Sequence, residues 1–158
     1  MRYNKGMNIR TARKNELSAL VAMGGRLHET ELLFEPLLVF SEKEAIDRYT
    51  KEFENPNALL LVAEDNDDVV GYLYAHADKI DYYNTKKLEC EIEVVYVTED
   101  YRRKGVARAL VEECIIWAKT KNVFRIKIGA YTQNKASQQA FQKYGFTPYH
   151  TTFTQNVD

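Results

Sequence analysis

The sequence predicts a mixed α/β fold, a mostly antiparallel central sheet with helices on both faces. Two observations carry this. "ALLLVAEDNDDVVGYLYAHA", residues 58–77, is a pair of strand-like runs around the polar turn Glu64–Asp68, which reads as a hairpin. After it, the strand-like "LECEIEVVYV" (88–97), a helical run from about 105 to 120 and the strand-like "FRIKIGAY" (124–131) make a strand–helix–strand crossover. Such a crossover lays its two strands parallel.

The remaining elements follow in chain order. "MNIRTA" (7–12) reads as a first strand, with residues 1–6 a loose extension ahead of a single domain spanning 7–158. Leu17, Leu20, Val21, Gly24, Leu27 and His28 recur at helical spacing, and Gly24-Gly25 is expected to weaken or bend that helix. A second helix opens on the capping box Ser41/Glu44, carries Ile46, Tyr49 and Phe53, and stops at Asn55-Pro56. In the crossover helix, Val106, Leu110, Cys114 and Trp117 share one face. Phe124, Ile126 and Ile128 alternate along the fifth strand. "NKASQQAFQKY" reads as a short helix capped by Gly145, and "FTPYHTTF" (146–153) as a last strand.

Composition narrows the function classes. The chain has 158 residues, 45% apolar and 28% charged, a globular profile with room for a full core. A net charge of −1 gives no global attraction to nucleic acid or membrane. The apolar runs are too short to span a bilayer, and no signal-peptide pattern opens the chain, so a cytoplasmic location is expected. Cys90 and Cys114 fit a reducing compartment, as small buried apolar residues or, for one of them, a nucleophile. His28, His76 and His150 are scattered, and no spacing suggests a metal site.

"EDYRRKGVARAL" (99–110) places Arg102, Arg103 and Lys104 at a helix start, where the dipole disfavours cations. One reading is a bound anion and the other a solvated basic helix start. For an anion, the unpaired N–H groups of the first turn cradle oxygens, Gly105 permits close approach, Ala107 keeps the next turn small, and Arg108 adds charge one turn on. The pattern is neither a phosphate-binding Gly-Lys-Ser/Thr loop nor a dinucleotide glycine motif.

On the preceding strand Glu89, Glu91 and Glu93 alternate with apolar residues and so share a face. Three such carboxylates are expected to raise one another's pKa, attract a cationic amine and supply a base. The alternative is one wet face of an amphipathic strand.

Arg102-Arg103-Lys104-Gly105-Val106-Ala107 resembles the Arg/Gln-x-x-Gly-x-Gly/Ala signature of the GNAT superfamily of acyl-CoA-dependent N-acyltransferases. The surrounding "IEVVYVTEDYRRKGVARALV" resembles that family's strand–turn–helix segment. "NKASQQAFQKYGF" resembles its second landmark, an Asn-x-x-Ser/Ala helix running into Gly-Phe. The resemblance is sharpest over residues 88–146.

It implies acetyl-CoA or coenzyme A as co-substrate, bound where the fourth and fifth strands splay apart. Pantetheine would pair with backbone near Val95, Tyr96 and Val97. The pyrophosphate would sit on residues 103–108, with Arg102, Arg103, Lys104, Gly105, Val106, Ala107 and Arg108 as the cofactor loop. Asn134 would reach the cofactor, assisted by Ser137, and it also suits a helix N-cap. Glu93 matches the family's Ile-Glu-Asp glutamate and Glu91 a position other members use, so these two are the catalytic candidates.

One position departs from the pattern. The family's acid tyrosine, four residues before the glycine of Gly-Phe, is here Phe141. Tyr144 or Tyr131, water, or unassisted thiolate departure would have to serve instead. Otherwise the domain binds acyl-CoA without efficient turnover.

The resemblance implies direct acetyl transfer to an amine, a small cationic amine or a peptide amine, with no metal. Glu29, Glu31, Glu35, Glu42 and Glu44 beside Phe34 and Phe40 suit a cationic acceptor. His28 is either a contact in that region or a packing histidine. Homodimers are common in this family. A non-catalytic acyl-CoA sensor and a nucleotide-phosphate binder remain as other classes.

Overall fold

The computed structural model describes residues 7–78 and 88–157 of the chain. The extension expected over residues 1–6 lies outside the described residues. The strands are β1 (Asn8–Thr11), β2 (Ala58–Asp65), β3 (Asp68–Asp78), β4 (Glu89–Val97) and β5 (Arg125–Ile128). The helices are α1 (Leu17–Glu31), α2 (Glu42–Glu52), α3 (Val106–Thr120) and α4 (Lys135–Lys143). The strands lie side by side in chain order, antiparallel except for the parallel pair β4–β5. This is the mixed α/β architecture that the hairpin and crossover predict.

Local chemistry accounts for the elements. Asn66 and Asp67 adopt φ 50° and 69° between β2 and β3, the left-handed pair that a two-residue hairpin turn requires. At the start of α2, the Glu44 N–H donates to the Ser41 hydroxyl at 3.3 Å. Glu42 and Glu44 add negative charge to that first turn, where the helix dipole favours it.

Gly24-Gly25 does not interrupt α1, which runs unbroken from Leu17 to Glu31. The pair makes room for neighbours: a Cβ on Gly24 would lie 3.1 Å from the Tyr72 hydroxyl, and one on Gly25 3.3 Å from the Phe40 ring. Packing of α1 onto the sheet outweighs the glycine propensity penalty.

Alternation along β2, β3 and β4 feeds two cores. One face sends Leu61, Leu73, Cys90 and Ile92 against Leu110, Val111 and Cys114 of α3. Both cysteines are free and buried. The other face sends Leu60, Val62, Tyr72, Tyr74 and Tyr96 against Leu20, Val21 and Met23 of α1 and Tyr49 of α2. The second core is rich in tyrosine, and its buried hydroxyls pair: Tyr49 and Tyr72 share a hydrogen bond at 3.1 Å.

The last strand expected over residues 146–153 does not form, and residues 146–157 carry no regular element. Pro148 lacks the N–H a ladder needs, and beyond Phe146 the residues to 157 are all exposed, Phe153 91% so, which leaves no buried face to extend the strand. Tyr149 instead lies under the Arg125 guanidinium, 4.2 Å from ring centroid to Cζ.

Candidate active site

Two features meet on β4. Its parallel pairing with β5 ends at Ile92↔Ile128. Its antiparallel register with β3 shifts at the same level, Tyr74 facing Val94 and Ala75 facing Ile92, so Glu93 is left over as a bulge. Beyond that point β4 continues to Val97 with no strand on its β5 side among the described residues. This is the splay expected between the fourth and fifth strands.

The register shows which peptide groups open into the gap. Thr98 N–H donates to the Val70 carbonyl at 2.9 Å, so the groups of Thr98, Tyr96 and Val94 face β3. Those of Val95 and Val97 face the gap. Tyr96, expected to pair with cofactor through its backbone, therefore has its peptide groups turned to β3, and its ring is buried in the tyrosine core.

The basic turn follows immediately. Arg103 adopts φ 61° and Gly105 φ 85°, so the backbone curls twice through the left-handed region before α3 begins. Such a curl points successive N–H groups inward, and the first turn of α3 adds N–H groups that have no i−4 carbonyl. Arg103 stores strain there that glycine would not.

Three of the cations have contacts within the fold. Arg102 Nε donates to the Val97 carbonyl at 3.0 Å, and its guanidinium lies over the Tyr96 ring. It clasps the turn to the strand. Lys104 lies over the Tyr101 ring at 5.0 Å, and Arg108 pairs with Glu112 one turn along α3. Asn134 is the N-cap of α4: its side-chain oxygen accepts from Ser137 N–H at 3.1 Å. Both residues are thus tied into the α4 start.

The three glutamates of β4 separate in the structure. Glu89 is buried and faces Arg125, to which it is hydrogen-bonded, and Lys127 Nζ at 3.1 Å. Burial pushes its carboxyl up, but the two cations outweigh that and hold it below the usual range. Glu91 is exposed and has no ion pair among the described residues. Glu93 is gripped from two sides: His76 Nε2 lies 2.8 Å from its Oε1, and Arg48 binds its Oε2. His76 and then Arg48 hold its carboxyl below the usual range, against the effect of burial. The mutual raising expected of the three carboxylates is thus overturned at Glu89 and Glu93, because each has cations closer than its sister carboxylates.

Sequence reasoning missed His76 and Arg48. His76 belongs to β3, where Tyr72, Tyr74 and His76 alternate onto one face, and it sits opposite Glu91 in the β3–β4 register. Its Nδ1 is bonded to Asp78, and its imidazole is raised to about 9, chiefly by Glu93 and also by Asp78. Arg48 comes from α2 and lies over the Tyr74 ring at 4.9 Å. Nothing in the local sequence marks it. His28, by contrast, packs on Phe40 with ring centroids 5.8 Å apart.

Phe141 packs against Tyr144 and Phe146. Burial pushes the Tyr144 phenol up. Tyr131, after β5, stacks on Phe34 at 5.9 Å, and burial together with Glu31 and Glu35 raises its phenol. This bridges the α1–α2 connection to the β5–α4 connection.

No group of three or more metal-ligating side chains occurs among the described residues, and no described helix is long and apolar enough to cross a membrane.

A splayed parallel pair, a bulged carboxylate strand and an amide-lined helix start meet at one end of the sheet. Residues 27–146 match the acetyltransferase (GNAT) family model, and the chain belongs to that family. GNAT acetyltransferases draw their acetyl group from acetyl-CoA, the family's co-substrate. Among curated protein sequences none matches.

Solved structures share the fold. A mutant BH1408 protein from Bacillus halodurans has TM-score 0.84 at 18% identity, covering 95% of this chain and 99% of that one. The aminoglycoside N-acetyltransferase AAC(6')-Iy, in complex with a bisubstrate analog, has TM-score 0.79 at 16% identity, covering 96% and 98%. Glucosamine-6-phosphate N-acetyltransferase from Arabidopsis thaliana has TM-score 0.72 at 16% identity, covering 98% and 100%.

Proposed function

We propose that the protein is an N-acetyltransferase that moves the acetyl group of acetyl-CoA directly to a primary amine, a small cationic amine in preference to a peptide amine. The observation that carries this is the meeting of three things at one level of β4: the end of β4–β5 pairing, the Glu93 bulge and the gap-facing peptides of Val95 and Val97. Extended pantetheine adds to those peptides like a strand. The pyrophosphate takes the amides from Arg103 to Arg108, where the helix dipole favours negative charge. Tyr96 serves through its ring, beneath Arg102. Asn134 and Ser137 border the cofactor from the β5 side.

The amine nitrogen attacks the thioester carbonyl carbon. A C–N bond forms, the C–S bond breaks, and the thiolate leaves. A gap-facing N–H of β4 bonds the oxyanion. The ammonium proton must go first, because such amines are protonated at neutral pH. Glu91 takes it through water, since it is exposed and has no ion pair among the described residues. Glu93 stays ionised and accepts an N–H from the amine. The proton that the nitrogen sheds as the intermediate collapses passes through water to the departing thiolate, whose ordinary thiol pKa of about 8.5 lets it leave without a tyrosine acid.

The acceptor class follows from the mouth of the site. Glu31 lies with Glu35 beside Tyr131 and, through its charge, also acts on Tyr72. Carboxylates beside aromatic rings suit an amine carrying further positive charge. The neighbours named for aminoglycosides and an amino sugar phosphate fit a small acceptor.

Release of coenzyme A thiol, followed with a thiol-reactive dye across polyamines, amino sugars, aminoglycosides and lysine peptides, tests this reading. Thiol release that depends on a small cationic amine, and that falls in Glu91→Gln and Glu93→Gln, is expected. Tight acetyl-CoA binding without amine-dependent release would replace it with the sensor reading, which Phe141 favours.

A further inference from the structure

Glu93 does not stand alone. Asp78, His76, Glu93 and Arg48 form a continuous chain across β3, β4 and α2: Asp78 to His76 Nδ1, His76 Nε2 to Glu93 Oε1, and Glu93 Oε2 to Arg48. Arg48 ends the chain over the Tyr74 ring. Each carboxylate oxygen of Glu93 has a second lone pair beyond the one its cation occupies. The bulge lifts Glu93 out of the strand ladder, so backbone pairing does not fix its side chain, and the two flanking cations do.

We infer that His76, backed by Asp78, is a positioning residue for the acetyl-transfer reaction: it fixes the Glu93 carboxylate so that the free lone pairs face the acceptor amine at the β4–β5 gap. This role rests on the acetyl-transfer reading above. It is a role for a charged imidazole. With Asp78 accepting from Nδ1, a proton on Nε2 is what joins the ring to Glu93. When that proton leaves, an imidazole lone pair faces a carboxylate lone pair across the same short distance, and the carboxylate swings away.

The groups around His76 set where this happens. Among the described residues they are, from β4, Glu93, Glu91 as the register partner, and Cys90; from β3, Asp78 and Tyr74; from α2, Arg48 beyond Glu93, with Tyr49 and Glu52 on the Tyr74 side. Carboxylates outnumber cations among them, and His76 is raised to about 9. Turnover therefore carries a falling alkaline limb near that pH, superimposed on the rise as the free amine forms.

The test is the pH dependence of kcat for wild type, His76→Gln, His76→Leu and Asp78→Asn on a responsive amine. His76→Gln keeps an N–H donor in the place of Nε2 that does not titrate. It is expected to lower neutral-pH kcat less than His76→Leu does and to lose the alkaline limb. His76→Leu removes the donor and is expected to lower kcat roughly 10- to 100-fold, the scale of a misplaced reacting group. Its acetyl-CoA affinity should be retained. Asp78→Asn should move the limb to lower pH. In parallel, NMR titration of the His76 ring in folded wild type and Glu93→Gln reads the pairing without turnover, and the ring pKa should drop in Glu93→Gln.

An alkaline limb identical in wild type and His76→Gln would overturn the inference and leave acetyl transfer standing. So would a His76 titration indifferent to Glu93→Gln. Absence of amine-dependent thiol release in wild type would sink the acetyl-transfer reading itself, and this role with it.

Discussion

The two sides of β4 are built from different materials. On the gap side, the groups that face outward are main-chain amides: Val95, Val97 and the turn from Arg103 into α3. The basic side chains there are turned to other work, Arg102 on the Val97 carbonyl and Lys104 on Tyr101. On the tyrosine side, the groups are side chains held in a chain of charges, Asp78–His76–Glu93–Arg48. A backbone-built site depends on local conformation and tolerates side-chain exchange. A side-chain-built site depends on register and tolerates almost none.

The largest effect expected is at Glu91, the exposed carboxylate of β4 beside that chain. Glu91→Gln should lower kcat about 100-fold or more, the usual worth of a general base, with acetyl-CoA affinity retained. Steady-state rates and titration of the same variant would show the split. On the gap side, Gly105→Val forces a β-branched residue into φ 85°. That conformation costs on the order of 1–3 kcal/mol, so acetyl-CoA affinity should fall roughly 10- to 100-fold. Turnover at saturating cofactor should suffer far less. A Gly105→Val protein that binds normally but turns over slowly would invert the contrast.

Stability against pH sharpens it further. His76 is raised to about 9, chiefly by Glu93. Its stabilising contribution is then full below its ordinary value of about 6.5 and is lost as pH rises through 9. Glu93 is held below the usual range by His76 and Arg48. Its contribution is present above the ordinary carboxyl value of about 4.3 and is lost as pH falls through the depressed one. Urea unfolding of wild type and His76→Gln should differ most near pH 6 and converge above pH 9. The smallest effect expected is Tyr49→Phe, which breaks the 3.1 Å bond to Tyr72 and leaves a buried hydroxyl unpaired. About 1 kcal/mol of unfolding free energy should be lost, with the gap side untouched.

The same contrast explains what the sequence revealed. The gap side is contiguous in the chain, so strand, turn, Gly105 and helix start are legible as one pattern, and Asn134 follows as a second. The alternation that placed Glu91 and Glu93 on one face is likewise local. His76 and Arg48 come from elements 17 and 45 residues from Glu93, as the differences 93 − 76 and 93 − 48 give. Only the hairpin register and the docking of α2 bring them together. Alternation along β4 does not reveal the direction of the Glu89 and Glu93 shifts for that reason, because the cations that set it lie elsewhere in the chain. The last strand failed on a different ground. Propensity in "FTPYHTTF" favoured extension, but Pro148 and a lack of burial left nothing to pair.

Titration of the wild-type chain with acetyl-CoA, coenzyme A and ATP tests the central claim most directly. Saturable binding of acetyl-CoA and coenzyme A at one site per chain is expected, with no comparable binding of ATP. No heat or shift on adding acetyl-CoA, or ATP bound as tightly, would contradict it.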